Sequence, residues 1–80
     1  MTYIEAQQKS FTVRWKTVTC PQGERCWCRG IKCEEPVMYQ EDGSEENDEY
    51  IVARYGEMTK EHAEYFVKLH NENIVRNKVV

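Results

Sequence analysis

The chain has 80 residues, of which 40% are apolar and 31% are charged. A chain of this length buries only one small core, so residues 1–80 are predicted to form a single domain without a cleft between domains. No apolar run is long enough for a membrane-spanning helix, and the start, MTYIEAQQKS, lacks the basic and apolar regions of a secretory signal. We therefore expect a cytoplasmic protein with reduced thiols.

The charge is distributed unevenly along the chain. Residues 41–49, EDGSEENDE, contain six acids. Because the whole chain has a formal net charge of only −3, the remainder of the chain is mildly basic. This asymmetry favours a surface that faces a partner. The acidic segment is too highly charged to pack, so we expect an exposed and mobile loop. Its six acids are Glu41, Asp42, Glu45, Glu46, Asp48 and Glu49.

The first predicted element is a strand that begins at Phe11. In FTVRWKTVT, the residues Phe11, Val13 and Trp15 alternate with polar residues, which is typical of a half-buried strand. A turn at PQGER follows, and CWCRGIKC (26–33) is predicted as the return strand of an antiparallel hairpin. We expect a bulge at Gly30 in this strand and both tryptophans in the core.

Two shorter strands and one helix complete the predicted fold. PVMYQ (36–40) reads as a short strand, and YIVARY (50–55) has the clearest β-propensity. The only strong helical pattern follows Thr59, the predicted N-cap, and is expected to end and fray within NENIVRNKVV. Its apolar stripe consists of Ala63, Phe66, Val67, His70 and Ile74. The predicted fold class is α+β, a small antiparallel sheet of three to four strands packed against one C-terminal helix.

All the cysteines lie in residues 20–33, CPQGERCWCRGIKC, with the spacing C-x5-C-x-C-x4-C. Structural zinc sites commonly use two C-x2–4-C pairs, so the spacing is not the usual one. On a hairpin, Cys26 and Cys28 would share a face and Cys20 would meet them across the turn. Cys33 would project to the other face unless a bulge returned it. The alternative zinc site is therefore Cys20, Cys26, Cys28 and Cys33, with His62 or His70 as a replacement ligand if only three cysteines bind.

Three other roles for the thiols are compared with zinc binding. Cys20 and Cys26 flank the turn closely enough for a disulfide, which a reducing compartment disfavours. A nucleophilic cysteine needs a base aimed at it, and nothing in the sequence directs a histidine to a thiol. Reduced cysteines also pack as small apolar side chains, which is the interpretation we favour, with no catalytic residue and no cofactor. For His70, we expect a hydrogen bond to the backbone in place of a ligand role.

The predicted first hairpin also concentrates positive charge. With an exposed aromatic residue, it could hold single-stranded nucleic acid through phosphate contacts and base stacking. Neighbouring acids weaken this surface, so nucleic acid is not the favoured partner. A zinc-stabilised nucleic-acid-binding module that uses the basic hairpin 14–32 is the alternative function. The cations are Arg14, Lys16, Arg25, Arg29 and Lys32.

Two stretches resemble small, uncharacterised proteins of bacteriophages and prophages. They are GERCWCRGI (23–31) and YIVARYGEMTKEHAEYFVKLHNENI (50–74), which contains the KLHN sequence at residues 68–71. Proteins of this kind often pair a C-W-C segment with a final helix that ends in this way. The resemblance implies a host-takeover or anti-defence role, in which such proteins bind a host machine stoichiometrically. Anti-CRISPR proteins are one class of this size and acidity.

We therefore expect a non-enzymatic binding protein that blocks or adapts a host protein or protein complex in the cytoplasm of a bacterium. The acidic segment would be its contact surface, because clustered carboxylates steer a protein toward a basic partner. No membrane association is expected. Exposed edge strands are compatible with a homodimer.

Overall fold

The computed structural model describes residues 1–41 and 43–79, with side chains up to Ile74. It confirms the predicted α+β class, with a C-terminal helix and antiparallel strands that form a three-stranded sheet and a second, two-stranded sheet. None of the described helices is both long enough and apolar enough to cross a bilayer. The elements are α1 (Tyr3–Ser10), β1 (Trp15–Thr19), β2 (Arg29–Cys33), β3 (Met38–Tyr39), β4 (Asp48–Glu49), β5 (Ile51–Ala53) and α2 (Lys60–Val79).

The larger sheet has the order β1-β2-β5, and both pairs are antiparallel. Alternation along the strands gives the sheet two different faces. Ile31 and Ala53 lie on one face and pack with Ala63 of α2. Lys16 and Lys32 are paired across β1 and β2 and therefore lie on the opposite face.

Both strands of the predicted hairpin begin later than expected. β1 begins at Trp15, because Phe11 closes α1 by donating its backbone N–H to Gln8 and remains 58% exposed. β2 begins at Arg29, since the preceding cysteines belong to a loop. The irregularity predicted at Gly30 lies between Ile31 and its neighbour Lys32, where the pairing with β5 shifts.

Helix α1 was not predicted, although its start carries a recognisable signal. Thr2 and Glu5 form a capping box, in which each side chain accepts a hydrogen bond from the other residue's backbone N–H. The helix is short and mostly exposed, so its apolar periodicity is weak. It buries Ala6 and Ser10, and the carbonyl of Ser10 accepts a 2.7 Å hydrogen bond from the indole of Trp15.

Helix α2 begins where the sequence predicts. The hydroxyl of Thr59 accepts a hydrogen bond from the backbone N–H of His62, which confirms the N-cap. The helix continues to Val79, so its end lies within residues 71–80, as the sequence predicts. In the predicted stripe Ala63 and Ile74 are buried, but Phe66 is 46% exposed. A three-stranded sheet is too narrow to cover the flank of the stripe on which Phe66 lies.

Most of the buried apolar residues that the structure describes form two small clusters. The first lies between α1 and the segment around β3 to β5, and the second between the large sheet and α2. Trp15 packs against both clusters, as predicted for a core residue, whereas Trp27 is 61% exposed and its predicted burial is wrong. The first cluster contains Ala6, Cys33, Val37 and Tyr50, and the second contains Ile31, Ala53 and Ala63.

The KLHN segment of α2 secures the beginning of β1. The ring of His70 stacks on Trp15 at 3.5 Å between centroids, and its Nε2 donates a 2.7 Å hydrogen bond to the carbonyl of Val13. This confirms the backbone hydrogen bond predicted for His70. The Asn71 amide bonds both the N–H and the carbonyl of Trp15, at 2.9 and 3.1 Å. In this structure, these two KLHN residues join α2 to the start of β1.

Candidate metal centre and charged surfaces

Two consecutive turns after β1 bring the first cysteines together. Gly23 donates its N–H to the carbonyl of Cys20 at 2.9 Å, and Cys26 donates to the carbonyl of Gly23 at 3.1 Å. Gly23 has a φ of +114°, which favours glycine because a side chain would be strained there. The loop therefore folds back so that Cys26 lies near Cys20.

The next cysteine is fixed by the start of α2. Cys28 forms an isolated antiparallel bridge with Thr59, the residue that caps α2. The N–H of Arg29 bonds the carbonyl of Met58 at 3.2 Å, and the N–H of Lys60 bonds the carbonyl of Trp27 at 3.0 Å. The cysteine loop and the start of α2 are thus one hydrogen-bonded unit.

The sulfur atoms of Cys20, Cys26 and Cys28 all lie within 4.8 Å of one another. The closest pair is Cys26 and Cys28, whose sulfurs are 3.4 Å apart. In a tetrahedral zinc–thiolate site with Zn–S bonds of about 2.3 Å, the sulfurs are about 3.8 Å apart. Small side-chain adjustments would therefore place all three sulfurs at ligand distance from one metal ion. Cys20 and Cys28 are buried, while Cys26 is half-buried.

Arg29 forms hydrogen bonds to the backbone of the loop that carries this cluster. It is buried, and its guanidinium donates to the carbonyls of Glu24, Cys26 and Cys28 at 2.7 to 2.8 Å. Its assignment to a basic surface is therefore wrong, because a guanidinium bound to three carbonyls does not face solvent. The sequence offered no signal for this role, since the three carbonyls meet only when the loop folds.

The thiols in the cluster are not equivalent in acidity. The backbone N–H of Cys28 and the neighbouring thiols donate to the Cys26 sulfur, which lowers the pKa of Cys26. The same contact with Cys26, together with burial, raises the pKa of Cys28. Cys26 therefore ionises before Cys28, and a thiolate is the form that binds metal.

The other residues considered for the site lie elsewhere. Cys33 is buried in the first cluster, and both its burial and the nearby Glu49 raise its pKa. His70 is engaged with Trp15 and Val13, and His62 is exposed in the first turn of α2. Among the described residues, no fourth cysteine, histidine or carboxylate joins the three thiols. All four cysteines are free, so the considered Cys20–Cys26 disulfide is not formed.

The acidic segment is more ordered than expected. Asp48 and Glu49 form β4 and pair with β3, and Glu49 is half-buried with its carboxylate 3.7 Å from Lys32. This charged segment can pack because β4 forms backbone hydrogen bonds with β3 and because Glu49 forms an ion pair with Lys32. Three acids, Glu41, Glu45 and Glu46, are exposed around the turn. Asp42 lies outside the described residues.

The cations of the predicted basic hairpin do not form one surface. Arg14 pairs with Glu34 at 3.5 Å on the exposed strand margin, and Arg29 is buried. Lys16 and Lys32 lie together on the sheet face opposite α2. Arg25 is exposed in the loop. The hairpin therefore offers two adjacent lysines and not five aligned cations.

The chain was compared with protein-family models, with curated proteins and with solved structures. None of the three comparisons gives a significant match.

Proposed function

We propose that this protein is a small, non-enzymatic binding module that Zn²⁺ stabilises through Cys20, Cys26 and Cys28. The observation that carries the proposal is the convergence of three sulfurs within 4.8 Å. Thiolates are soft ligands that favour zinc over magnesium or calcium, and their spacing fits a tetrahedral ion.

A metal ion at this position would have a clear structural effect. The three thiols lie in the loop that hydrogen-bonds to the start of α2, so an ion would crosslink this loop close to the helix. Domains of this size have little core to stabilise them and often depend on such a crosslink. Because the ligands assemble only in the folded chain, metal binding contributes directly to folding stability.

Three protein ligands leave one coordination position of a tetrahedral ion for water or for an external donor. The half-buried Cys26 lies on the accessible side of the cluster. The exposed Trp27 follows it in sequence. The coordination proposed for the zinc ion is therefore three thiolates and one exchangeable ligand.

The first prediction concerns metal content. Protein loaded with Zn²⁺ and freed of excess metal should retain about one ion per chain, measured by native mass spectrometry and elemental analysis. Cys26→Ser should lose the ion because the variant removes one of only three thiolates. A strong chelator should lower the unfolding temperature of the wild-type protein.

Cys33→Ala is the matched control, because Cys33 is a buried free cysteine outside the cluster. This variant should retain zinc at the wild-type stoichiometry. Wild-type protein that binds no zinc would contradict the proposal. Equal zinc loss in the Cys33 and Cys26 variants would also contradict it.

The binding partner is proposed to be a host protein, as the resemblance to phage accessory proteins of the anti-defence type implies. Two exposed surfaces support a protein partner. The acids at the turn of the acidic segment would steer a basic surface toward it. Helix α2 presents large apolar side chains to solvent, and such side chains are typical anchors at interfaces. The apolar residues are Tyr65, Phe66 and Leu69.

The second prediction tests the acidic contact. The triple variant Glu41→Gln, Glu45→Gln and Glu46→Gln should fold normally, because these acids are exposed. In a pull-down from a bacterial lysate, this variant should recover less of the protein that the wild-type chain binds. The difference in recovery should shrink at high salt, because salt screens charge. The matching triple substitution to Asp keeps the charge and should enrich the partner normally. Undiminished enrichment by the Gln variant would remove the acidic segment from the proposed interface.

A further inference from the structure

The sheet face opposite α2 carries a shallow cavity of about 420 Å³. This volume lies within the range of small-molecule sites. Part of its lining is apolar and comes from Val18 and Ile51, and Ala53, which belongs to the second core cluster, also borders it. Apart from Ala53, the lining residues lie outside the second core cluster, so the cavity is largely separate from the packing of α2.

Gly30 keeps the cavity open beside an aromatic ring. A Cβ atom at Gly30 would lie 3.1 Å from Cγ2 of Val18 and 3.2 Å from Cε1 of Tyr55. A side chain at this position would make tight contacts and push Val18 or the Tyr55 ring away from β2 by a few tenths of an ångström. Tyr55 lines the cavity and is still 44% exposed, so it offers a supported surface for stacking.

The charge around the cavity is predominantly positive. Lys16 and Lys32 are directly paired across β1 and β2, an arrangement that costs stability when no anion is present. Lys32 and Arg54 line the cavity itself, against the single lining acid Glu49, and Lys16 lies next to Lys32 on β1. Among the described residues, neither Lys16 nor Arg54 has a carboxylate within 4.0 Å. The face therefore attracts an anionic group.

The one acid at the cavity lacks a hydrogen-bond donor. Oε2 of Glu49 is shielded from solvent, and no described residue donates a hydrogen bond to it. Lys32 lies 3.7 Å away, which is too long for a hydrogen bond. After a small rotation of the Glu49 side chain, a ligand N–H group could donate the hydrogen bond that Oε2 lacks.

We propose that this face binds a nucleotide, either free or as one unit of a single strand. The base would stack on Tyr55 over the apolar floor, and its N–H groups would donate to Glu49. The phosphate would lie against Lys16, Lys32 and Arg54. A simple anion would leave the aromatic and apolar surfaces unused, and an apolar ligand would offer no negative charge to Lys16 and Arg54.

The direct test is an NMR titration of uniformly ¹⁵N-labelled protein. Adenosine monophosphate, a short single-stranded oligodeoxyadenylate and inorganic phosphate are added separately. We expect both nucleotide ligands to shift the amide signals of Val18, Gly30 and Lys32. If the oligomer binds more tightly than adenosine monophosphate after correction for its number of bases, the ligand is a single strand. If the affinity per base is the same for both, the ligand is the free nucleotide. Inorganic phosphate that reproduces the shifts at the same affinity would overturn the proposal, as would the absence of shifts at these residues.

Variants separate stacking from charge. Tyr55→Leu should weaken nucleotide binding at least about fivefold, because it removes the stacking surface. Arg54→Gln should weaken binding and reduce its salt dependence, as loss of a phosphate contact does. Tyr65→Leu and Arg14→Gln change an exposed tyrosine and an exposed arginine outside the cavity, and both should bind as wild type. Unchanged binding by Tyr55→Leu, with the fold confirmed by circular dichroism, would overturn the assignment.

These experiments are independent of the zinc proposal. The cavity residues do not overlap the three thiols, so nucleotide binding should be the same in Cys26→Ser protein that remains folded. Loss of zinc with retained nucleotide binding would leave this inference intact. Retained zinc with no nucleotide binding would overturn it alone.

Discussion

Arg29 is a buried cation that is stabilised by backbone carbonyls and by no carboxylate of the described residues. Its three acceptors lie on Glu24, Cys26 and Cys28, which are separated along the loop. Hydrogen bonds from a charged donor are stronger than neutral ones, and a buried carbonyl left without a donor is costly. Arg29 therefore fixes the loop geometry that brings the thiols together.

The third prediction is that Arg29→Met destabilises the protein by about 2–3 kcal/mol, because three carbonyls lose a charged donor. Metal affinity should fall about 10- to 100-fold, as is typical when a residue that supports ligands is lost. Urea unfolding and competition with a chromophoric chelator measure these two effects. Arg25→Met is the control, because Arg25 is exposed in the same loop. An affinity unchanged by Arg29→Met would show that the thiols assemble without it.

At the level of elements, α2 acts as a partner for the edge strand β1. β1 pairs with β2 on one side only. The Asn71 side chain satisfies both backbone groups of Trp15 on the other side, and His70 bonds the carbonyl of Val13. An amide side chain can replace one residue of a missing strand because it has both a donor and an acceptor. This arrangement also blocks part of an edge that could pair with another chain.

The fourth prediction is that Asn71→Ala lowers the free energy of unfolding by about 1–3 kcal/mol, because two partly buried backbone groups lose their partners. Chemical denaturation measures this loss. Asn73→Ala, at an exposed position of the same helix, should change stability by less than about 0.5 kcal/mol. Equal effects of the two substitutions would mean that the Asn71 contacts contribute only helix propensity.

At the level of the whole molecule, two small clusters share one bridge. Among the residues whose burial is described, neither cluster has more than four members, so each is weak by itself. Trp15 and Val52 pack against both, and the Trp15 indole also bonds α1 through the carbonyl of Ser10. We expect the two clusters to unfold together because the bridging residues belong to both.

The fifth prediction compares the two tryptophans. Trp15→Ala should destabilise the protein by about 3 kcal/mol, near the lower end for loss of a core aromatic because Trp15 is only partly buried. Trp27→Ala should cost less than about 0.5 kcal/mol, since Trp27 is exposed. Urea titrations followed by circular dichroism measure both. Two separate transitions in the wild-type protein would contradict the shared bridge.

Local signals predicted those parts of the structure that depend on neighbouring residues. The α+β class followed from alternation in β1 and helical periodicity after Thr59, and the N-cap followed from a residue with a known local role. The convergence of Cys20, Cys26 and Cys28 was predicted from strand alternation, but the structure achieves it through turns in a loop that precedes β2. The separation of Cys33 from the other three did follow from its position in the strand. The capping box of α1 was equally local, and it was overlooked because the helix is short.

Contacts between distant segments decided everything else. The sequence by itself determined the type and order of the main elements, because capping, turns and periodicity act within a few residues. Only the tertiary structure decided that Arg29 is buried, that Trp15 is a bridge while Trp27 is exposed, and that Lys16, Lys32 and Arg54 share a face with Tyr55. Burial and electrostatic environment depend on residues that are far apart in the chain, so they are fixed only when the strands and α2 have packed.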